Sequence, residues 1–185
     1  KGTQDTLVRI LAPAREKGTA TLKAGEAIYT YLPRTDRTIK LNAGMMGGSW
    51  MGSHFTNDDL VRESRLSEDY DVSITFEGLR DGVKASELTL IPKANAAVVW
   101  GKIVTLIDDA SLNPIQSVYY DEDMKPARTQ TFHDPKLLGG RMAPSRMRMV
   151  PADKPTEYTE MVYESLEMNP TLPAGFFSLQ SLKRR

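Results

Sequence analysis

Cysteine is absent from the 185 residues and histidine occurs only twice. The first absence excludes disulfides, thiolate metal sites and a cysteine nucleophile, and it fits an oxidising as well as a reducing compartment. The second leaves His54 and His133 as the only imidazoles, with no second histidine at i+4 and no His-Glu motif to build a metal site, so no metal or cofactor is expected. An excess of either charge is also missing. The 24 Lys plus Arg balance 24 Asp plus Glu at a sequence pI near 7.0, which argues against nucleic acid, a partner held by neutralising phosphates. Long apolar runs are lacking as well: nothing approaches the ~20 residues that span a bilayer, and the mean hydropathy is -0.40. No membrane span is expected. The chain opens at Lys1-Gly2-Thr3 without an initiator methionine or a secretory signal pattern, so the residues themselves carry no address.

What is present reads mostly as strands. Tyr70, Val72, Ile74 and Phe76 alternate with Asp71, Ser73 and Thr75, the period-two pattern of a strand with one buried face. The glycines of Gly78-Leu79-Arg80-Asp81-Gly82 turn the chain back into a second arm over 83–91, stopped by Pro92. Further strands are expected over 6–11, 27–32, 38–41, 97–107, 115–120, 128–132, 146–150 and 158–168, separated by turn-forming clusters such as Asn113-Pro114 and Asp121-Glu122-Asp123. Strands this closely spaced, without helices between them, predict an antiparallel meander in a single domain over 1–185 rather than a parallel sheet.

Only two stretches read as helix. Residues 56–62 open on capping residues with Asp58 and Asp59 in the first turn. The tail repeats Phe176, Leu179 and Leu182 at a spacing of three and ends on Lys183, Arg184 and Arg185. No internal repeat or low-complexity tract is present, which excludes a solenoid. The 97–107 stretch is apolar on both faces, with Val99, Ile103 and Ile107 on one and Val98, Trp100, Val104 and Leu106 on the other. Either a sandwich core with a covering segment or a curved sheet lining an apolar cavity accounts for this.

Catalytic constellations are poor. Ser53-His54 followed by Asp58 and Asp59 is the one tempting neighbourhood, but neighbouring side chains on a strand point apart, and a relay is defined by geometry rather than by sequence proximity. No catalytic residue is assigned. The glycine-rich stretch from Asn42 to Ser53 is neither a phosphate-binding loop nor a dinucleotide fingerprint. It carries Met45, Met46, Trp50 and Met51 where a loop should be solvated. Methionine moulds to irregular apolar partners and tryptophan offers a large contact area, so the loop suits the gate of an apolar site or a plug for the core. Met147 and Met149 alternate with Arg146 and Arg148, giving a soft apolar face and a basic one that is either solvated or meets an anionic surface.

The stretch from Ile28 to Lys40, with its Tyr31-Leu32-Pro33 step, and then Gly48-Ser49-Trp50-Met51-Gly52-Ser53-His54-Phe55-Thr56-Asn57-Asp58-Asp59-Leu60 resembles the signature of bacterial outer-membrane lipoprotein-sorting proteins of the LolA/LolB-like superfamily. That signature runs from a Tyr-Leu-Pro strand through a basic strand to Ser-Phe-Met-Gly-Ser-Asp-Phe-Thr-Tyr-Glu-Asp-Leu. Here Trp50 stands for the Phe, His54 for the Asp, and Asn57-Asp58 for the Tyr-Glu. The resemblance continues more loosely around Trp100, through 115–132 and into the ending from Met168 to Leu179. It implies a mainly β chain with few helices: an unclosed antiparallel β-barrel, or strongly curved sheet, enclosing an apolar cavity. It further implies a periplasmic address, no catalytic residues, and an N-terminal helix and first strand preceding Lys1.

On this reading the chain carries the acyl chains of a lipid or lipoprotein. The expected ligand contacts are Tyr29, Tyr31, Met46, Trp50, Met51, Phe55, Trp100, Met147 and Met149, and an inner-membrane exporter or an outer-membrane acceptor is the expected protein partner. The alternatives are a non-catalytic interaction module of an envelope export complex, its cavity filled by its own side chains, and a hydrolase using Ser53, His54 and Asp58.

Overall fold

The computed structural model describes residues 5–25, 27–62 and 66–183. The chain falls into two compact units, the first built from 1–48, 56–65 and 171–185 and the second from 49–55 and 66–170.

The first unit is a four-stranded antiparallel meander of β1 (Asp5–Arg9), β2 (Ala20–Ala24), β3 (Ala27–Leu32) and β4 (Arg37–Leu41). Three of these are legible as alternating runs. The second is not, because Thr19 to Lys23 are buried on both sides of the strand, and a strand covered on both faces loses its alternation. Its Leu22 and Ala20 form a core with Leu182, on which Leu7, Tyr29, Tyr31 and Phe177 pack. Leu182 lies in α3 (Leu179–Leu182), a single turn opened by a capping box between Ser178 and Ser181. Arg9 closes the other end by donating to the Leu182 carbonyl at 3.2 Å and to that of Ser181, at the helix end where carbonyls run short of backbone donors. Only one of the three apolar tail positions reaches the core: Leu182 is fully buried while Leu179 is half exposed. Arg184 and Arg185 lie outside the described residues. The helix expected over 56–62 forms as α1 (Asn57–Arg62), with Thr56 and Asp59 capping each other through side-chain to backbone bonds of 3.2 and 2.6 Å.

The second unit is a seven-stranded antiparallel sheet in sequence order, from β5 (Tyr70–Arg80) through β6 (Val83–Pro92), β7 (Lys102–Asp108), β8 (Pro114–Tyr120), β9 (Pro126–Leu138) and β10 (Arg141–Pro151) to β11 (Thr159–Val162). One turn of helix, α2 (Leu66–Asp69), leads into it. Its first and last strands are both edges, so the sheet is unclosed. The chain is thus mainly β with short helices and an open antiparallel sheet, as the sequence predicts. The hairpin after β5 is tighter than expected: Asp81 and Gly82 both have positive φ, at 51° and 81°, the two-residue turn that matches strand twist.

Two strands are shorter than expected. The 97–107 run becomes strand only at Lys102, because Gly101 approaches the backbone that follows β8 so closely that a β-carbon there would lie 2.4 Å from the Asp121 carbonyl oxygen. Val98 and Trp100 therefore pack from a loop onto the core of Tyr70, Leu90 and Ile103, and the two-faced strand is in fact a strand plus its own cover. The 158–168 run pairs only over β11, and Leu166 and Met168 continue beyond it without strand structure.

On the outer face of β9 to β11 the arginines are neutralised within the sheet. Arg146 meets Asp134 at 2.7 Å and Glu160 at 2.9 Å, and Arg148 meets Glu160 at 2.9 Å. These guanidiniums hold the Asp134 and Glu160 carboxyls below the usual carboxylate range. Depressed carboxylates stabilise the fold above their unfolded pKa of about 4, and that contribution fades as pH falls through the lower folded value. An Arg146→Met variant should therefore melt below the parent at neutral pH, and the gap should narrow as pH falls below the unfolded carboxylate value of about 4; thermal melts across pH measure it. In the first unit, Leu22→Ala should lower unfolding free energy by about 2 to 5 kcal/mol, the range for deleting a fully buried leucine side chain, as read by urea denaturation.

Candidate functional site

Strand register in the second unit collects one set of side chains on a single face. Leu90 lies opposite Ile103, Ile103 opposite Tyr119, and Tyr119 opposite Arg128. One step along, Ser117 faces Gln130 and Gln130 faces Met149, while Phe132 faces Met147. Met147 and Met149 are 5% and 1% exposed, so this face carries the soft apolar row that the Met-Arg alternation announces. A polar seam crosses it. Thr105 and Ser117 share a 2.9 Å hydrogen bond, Tyr119 donates to Gln130 at 2.9 Å, and Gln130 reaches the Met147 sulfur at 3.3 Å. Buried polar groups are tolerated when paired in this way.

At one end of the seam stands Arg128, 4% exposed. Its guanidinium lies 4.1 Å from the Trp100 ring centre and 4.3 Å from that of Tyr119, and the two rings meet edge-on at 5.4 Å. Such stacking suits the planar, weakly hydrated guanidinium and would not suit lysine. Nη1 donates to the His54 carbonyl at 3.0 Å, which ties the 49–55 segment to the sheet. The His54 ring adds two more ties at β11 and the turn before it, through Nδ1 to the Thr159 hydroxyl at 2.9 Å and Nε2 to Glu157 at 3.4 Å.

The glycine-rich stretch is less loose than its composition suggests. Residues 43–45 form a turn of 3-10 helix, and Met45, Met46 and Gly48 use their backbone groups in bonds to one another and to Asn57 and Asp58. In the second unit the Trp50 amide donates to the Phe55 carbonyl at 2.8 Å and the Ser53 amide to that of Trp50 at 2.9 Å. Among the side chains, Met46 and Phe55 are buried at 5% each, Trp50 is half-buried, and Met45 and Met51 are exposed. Met51 adopts φ of 53°, a left-handed conformation that glycine would reach at lower cost.

The residues expected at a ligand site thus separate. Trp50, Met51, Phe55, Trp100, Met147 and Met149 belong to the second unit, and Tyr29, Tyr31 and Met46 to the first. Tyr29 and Tyr31 pack on the Leu22 core, and the Tyr31 hydroxyl donates to Asp36 at 3.1 Å. Lys183 also binds Asp36, at 2.9 Å, and these two bonds hold that carboxyl low. A cavity of about 300 Å³ in the first unit is lined by Arg15, Glu16, Thr19, Leu32, Pro33, Arg34 and Thr35, none of them an expected ligand contact. Sequence reading missed Arg128, Gln130, Tyr119 and Ser117. Their alternation through 117–130 was the available signal, but polar residues at alternate positions read as a solvated face.

A serine-histidine relay does not form. The Ser53 hydroxyl donates to the Trp50 carbonyl at 2.7 Å, and both His54 ring nitrogens are engaged by Thr159 and Glu157. Among the described residues no group of three or more acidic or histidine side chains is arranged to hold a metal ion, and no helix is long and apolar enough to cross a membrane.

A family model described as "-like: Uncharacterized protein" matches residues 2–184. The chain belongs to that family. No curated protein matches it. Among solved structures, a domain from Vibrio parahaemolyticus assigned to outer membrane lipoprotein sorting is similar at 23% identity and a TM-score of 0.84, covering 97% of this chain and 77% of that one. A DUF1329 family protein from Desulfovibrio piger gives 19% identity and a TM-score of 0.87, covering 96% and 76%. A LolA superfamily protein from Nitrosomonas europaea gives 22% and 0.82, covering 98% and 79%. This family member therefore has the LolA-like fold, which its Tyr-Leu-Pro and Trp-Met-Gly-Ser segments resemble in sequence.

If Arg128 clamps the 49–55 segment, Arg128→Lys should expose that segment. Amide exchange at Trp50 and Ser53 should quicken by roughly tenfold, a local-opening effect, with strand amides of β7 and β8 unchanged. Hydrogen-exchange mass spectrometry reads both in one experiment.

Proposed function

We propose that this family member is a non-enzymatic periplasmic carrier or chaperone, holding acyl chains of a lipid or lipoprotein against the apolar face of the seven-stranded sheet. The observation that carries this reading is the Trp50-Met51 step. An exposed methionine is held at φ of 53° beside a half-buried tryptophan, on a segment fastened by Arg128 and His54 to the same face that bears Met147 and Met149. Apolar side chains kept at the surface by a strained backbone suit a ligand that covers them. Trp50, Met51 and Phe55 are the proposed mouth, and Trp100, Met147 and Met149 the proposed wall. An acyl chain of about 14 to 16 methylenes gains about 0.8 kcal/mol per CH₂ on leaving water, enough to bind without a polar contact. The lipoprotein-sorting assignment of the Vibrio relative and the LolA superfamily membership of the Nitrosomonas one support the same class of cargo. They also support a periplasmic address, the whole chain serving as one carrier domain, and an exporter or acceptor protein at either membrane as partner.

A second reading rests on burial. Met147 and Met149 are already covered, which favours an interaction module of an envelope complex whose sheet face is filled by its own side chains. Native mass spectrometry of the purified protein distinguishes the two: co-purifying lipid of acyl-chain mass supports the carrier, and a bare protein that also fails to take up a fluorescent fatty-acyl probe supports the module. Under the carrier reading, Trp50→Ala weakens probe binding with little change in thermal midpoint. Loss of stability at unaltered probe affinity would make Trp50 a core residue and overturn its place at the mouth.

A further inference from the structure

The seven-stranded sheet ends on one side in β5, a strand of 11 residues whose positions 71–75 are all exposed. Unpaired backbone along such an edge invites another strand, and proteins commonly blunt edges with brevity, proline or lysine. The opposite edge, β11, is only four residues long. β5 has no proline and no lysine. Val72 and Ile74 are 49% and 59% exposed although they lie opposite Leu90 and Leu88 on the apolar face, and Leu79 is 74% exposed. Asp71 has no ion-pair partner among the described residues, and Arg80, whose guanidinium lies 4.5 Å from the Phe76 ring centre, has a loose 3.4 Å ion pair with Glu87.

We propose that β5 pairs antiparallel with β5 of a second copy of this chain, joining two seven-stranded sheets edge to edge. The register follows from a bulge. Ile74 lies opposite Leu88 and Phe76 opposite Glu87, so Thr75 is an extra residue, and side-chain alternation shifts by one at that point. A two-fold axis normal to an antiparallel pair passes between a residue and its own copy. Placed at Phe76, with Thr75 left out of the count, it sets Asp71 opposite the partner's Arg80, Val72 opposite the partner's Leu79 and Ile74 opposite the partner's Glu77, each contact occurring twice. Moving the axis to Glu77 puts Arg80 opposite Ser73, and moving it to Ile74 puts Arg80 opposite Asp69, outside the strand, and Val72 opposite the partner's Glu77. Pairing Asp71 with Arg80 within the strand thus selects this register, which also sets Val72 against the partner's Leu79. Val72 and the partner's Leu79 also share the face of Leu90, so the apolar face that stops at β5 in one copy continues into the other. The proposal stands apart from the acyl-chain reading, since pairing uses the strand edge whatever the face holds.

Charge reversal tests the register. Sedimentation equilibrium on the full chain should show a concentration-dependent dimer. Asp71→Arg and Arg80→Asp should each weaken it by roughly tenfold, because each turns two attractive pairs into two repulsive ones. The double reversal should restore it. Both positions are exposed, and circular dichroism confirms that the variants keep their fold; Val72→Asp, on the other face of the strand, should weaken the dimer independently. A wild-type chain that stays monomeric at every concentration overturns the proposal, and so does a double variant that associates no better than either single one.

Discussion

A guanidinium removed from water must be surrounded, and in this protein that requirement organises the second unit. Arg128 is buried between the Trp100 and Tyr119 rings, and a charge so placed is costly unless each side is met by a ring face or an acceptor. Meeting it brings the 94–101 loop down onto the Tyr70, Leu90 and Ile103 core through Trp100. It fixes Tyr119 so that its hydroxyl reaches Gln130, and it draws the His54 carbonyl to the sheet. Loop cover, polar seam and the Trp50 to Phe55 segment therefore share one support.

The same requirement explains why the sheet's two faces differ. On the outer face charges sit at the surface and pair with one another, Arg146 and Arg148 with Asp134 and Glu160; pairs of this kind contribute little individually. On the inner face Thr105 pairs with Ser117, and Gln130 with Tyr119 and Met147, leaving the methionines and aliphatic side chains to define the rest of its chemistry. A face of adaptable side chains crossed by one fixed polar line can accept a flexible apolar ligand while keeping its own shape.

Most elements of the fold are legible directly. Alternation locates β3, β5, β6 and the core of β10, and the capping residues at the start of 56–62 with Asp58 and Asp59 in the first turn locate α1, because these signals depend on neighbours along the chain. Where the sequence misleads, a distant contact is responsible. β2 loses its alternation because both its faces are covered. The strand expected from 97 begins five residues late because Gly101 packs against the Asp121 backbone. The glycine content of the loop from Asn42 to Ser53 predicts movement, yet its amides are bonded to Asn42, Ala43, Met45, Trp50 and Phe55 carbonyls.

The sequence by itself determined that this is a mainly β, cysteine-free, charge-balanced chain with a LolA-like signature around Tyr31 and Trp50, since composition, period and short motifs are local properties. It also marked the methionines and tryptophans as a group in need of apolar partners. Only the tertiary structure decided which of them share a unit, placing Met147, Met149 and Trp100 with Trp50 and leaving Tyr29 and Tyr31 on the Leu22 core. It alone revealed Arg128 as the support of Trp100 and of the segment that carries Trp50. A single arginine between an alanine and a threonine carries no local signal, and its role arises from rings that lie 28 residues before it and nine before it in the chain.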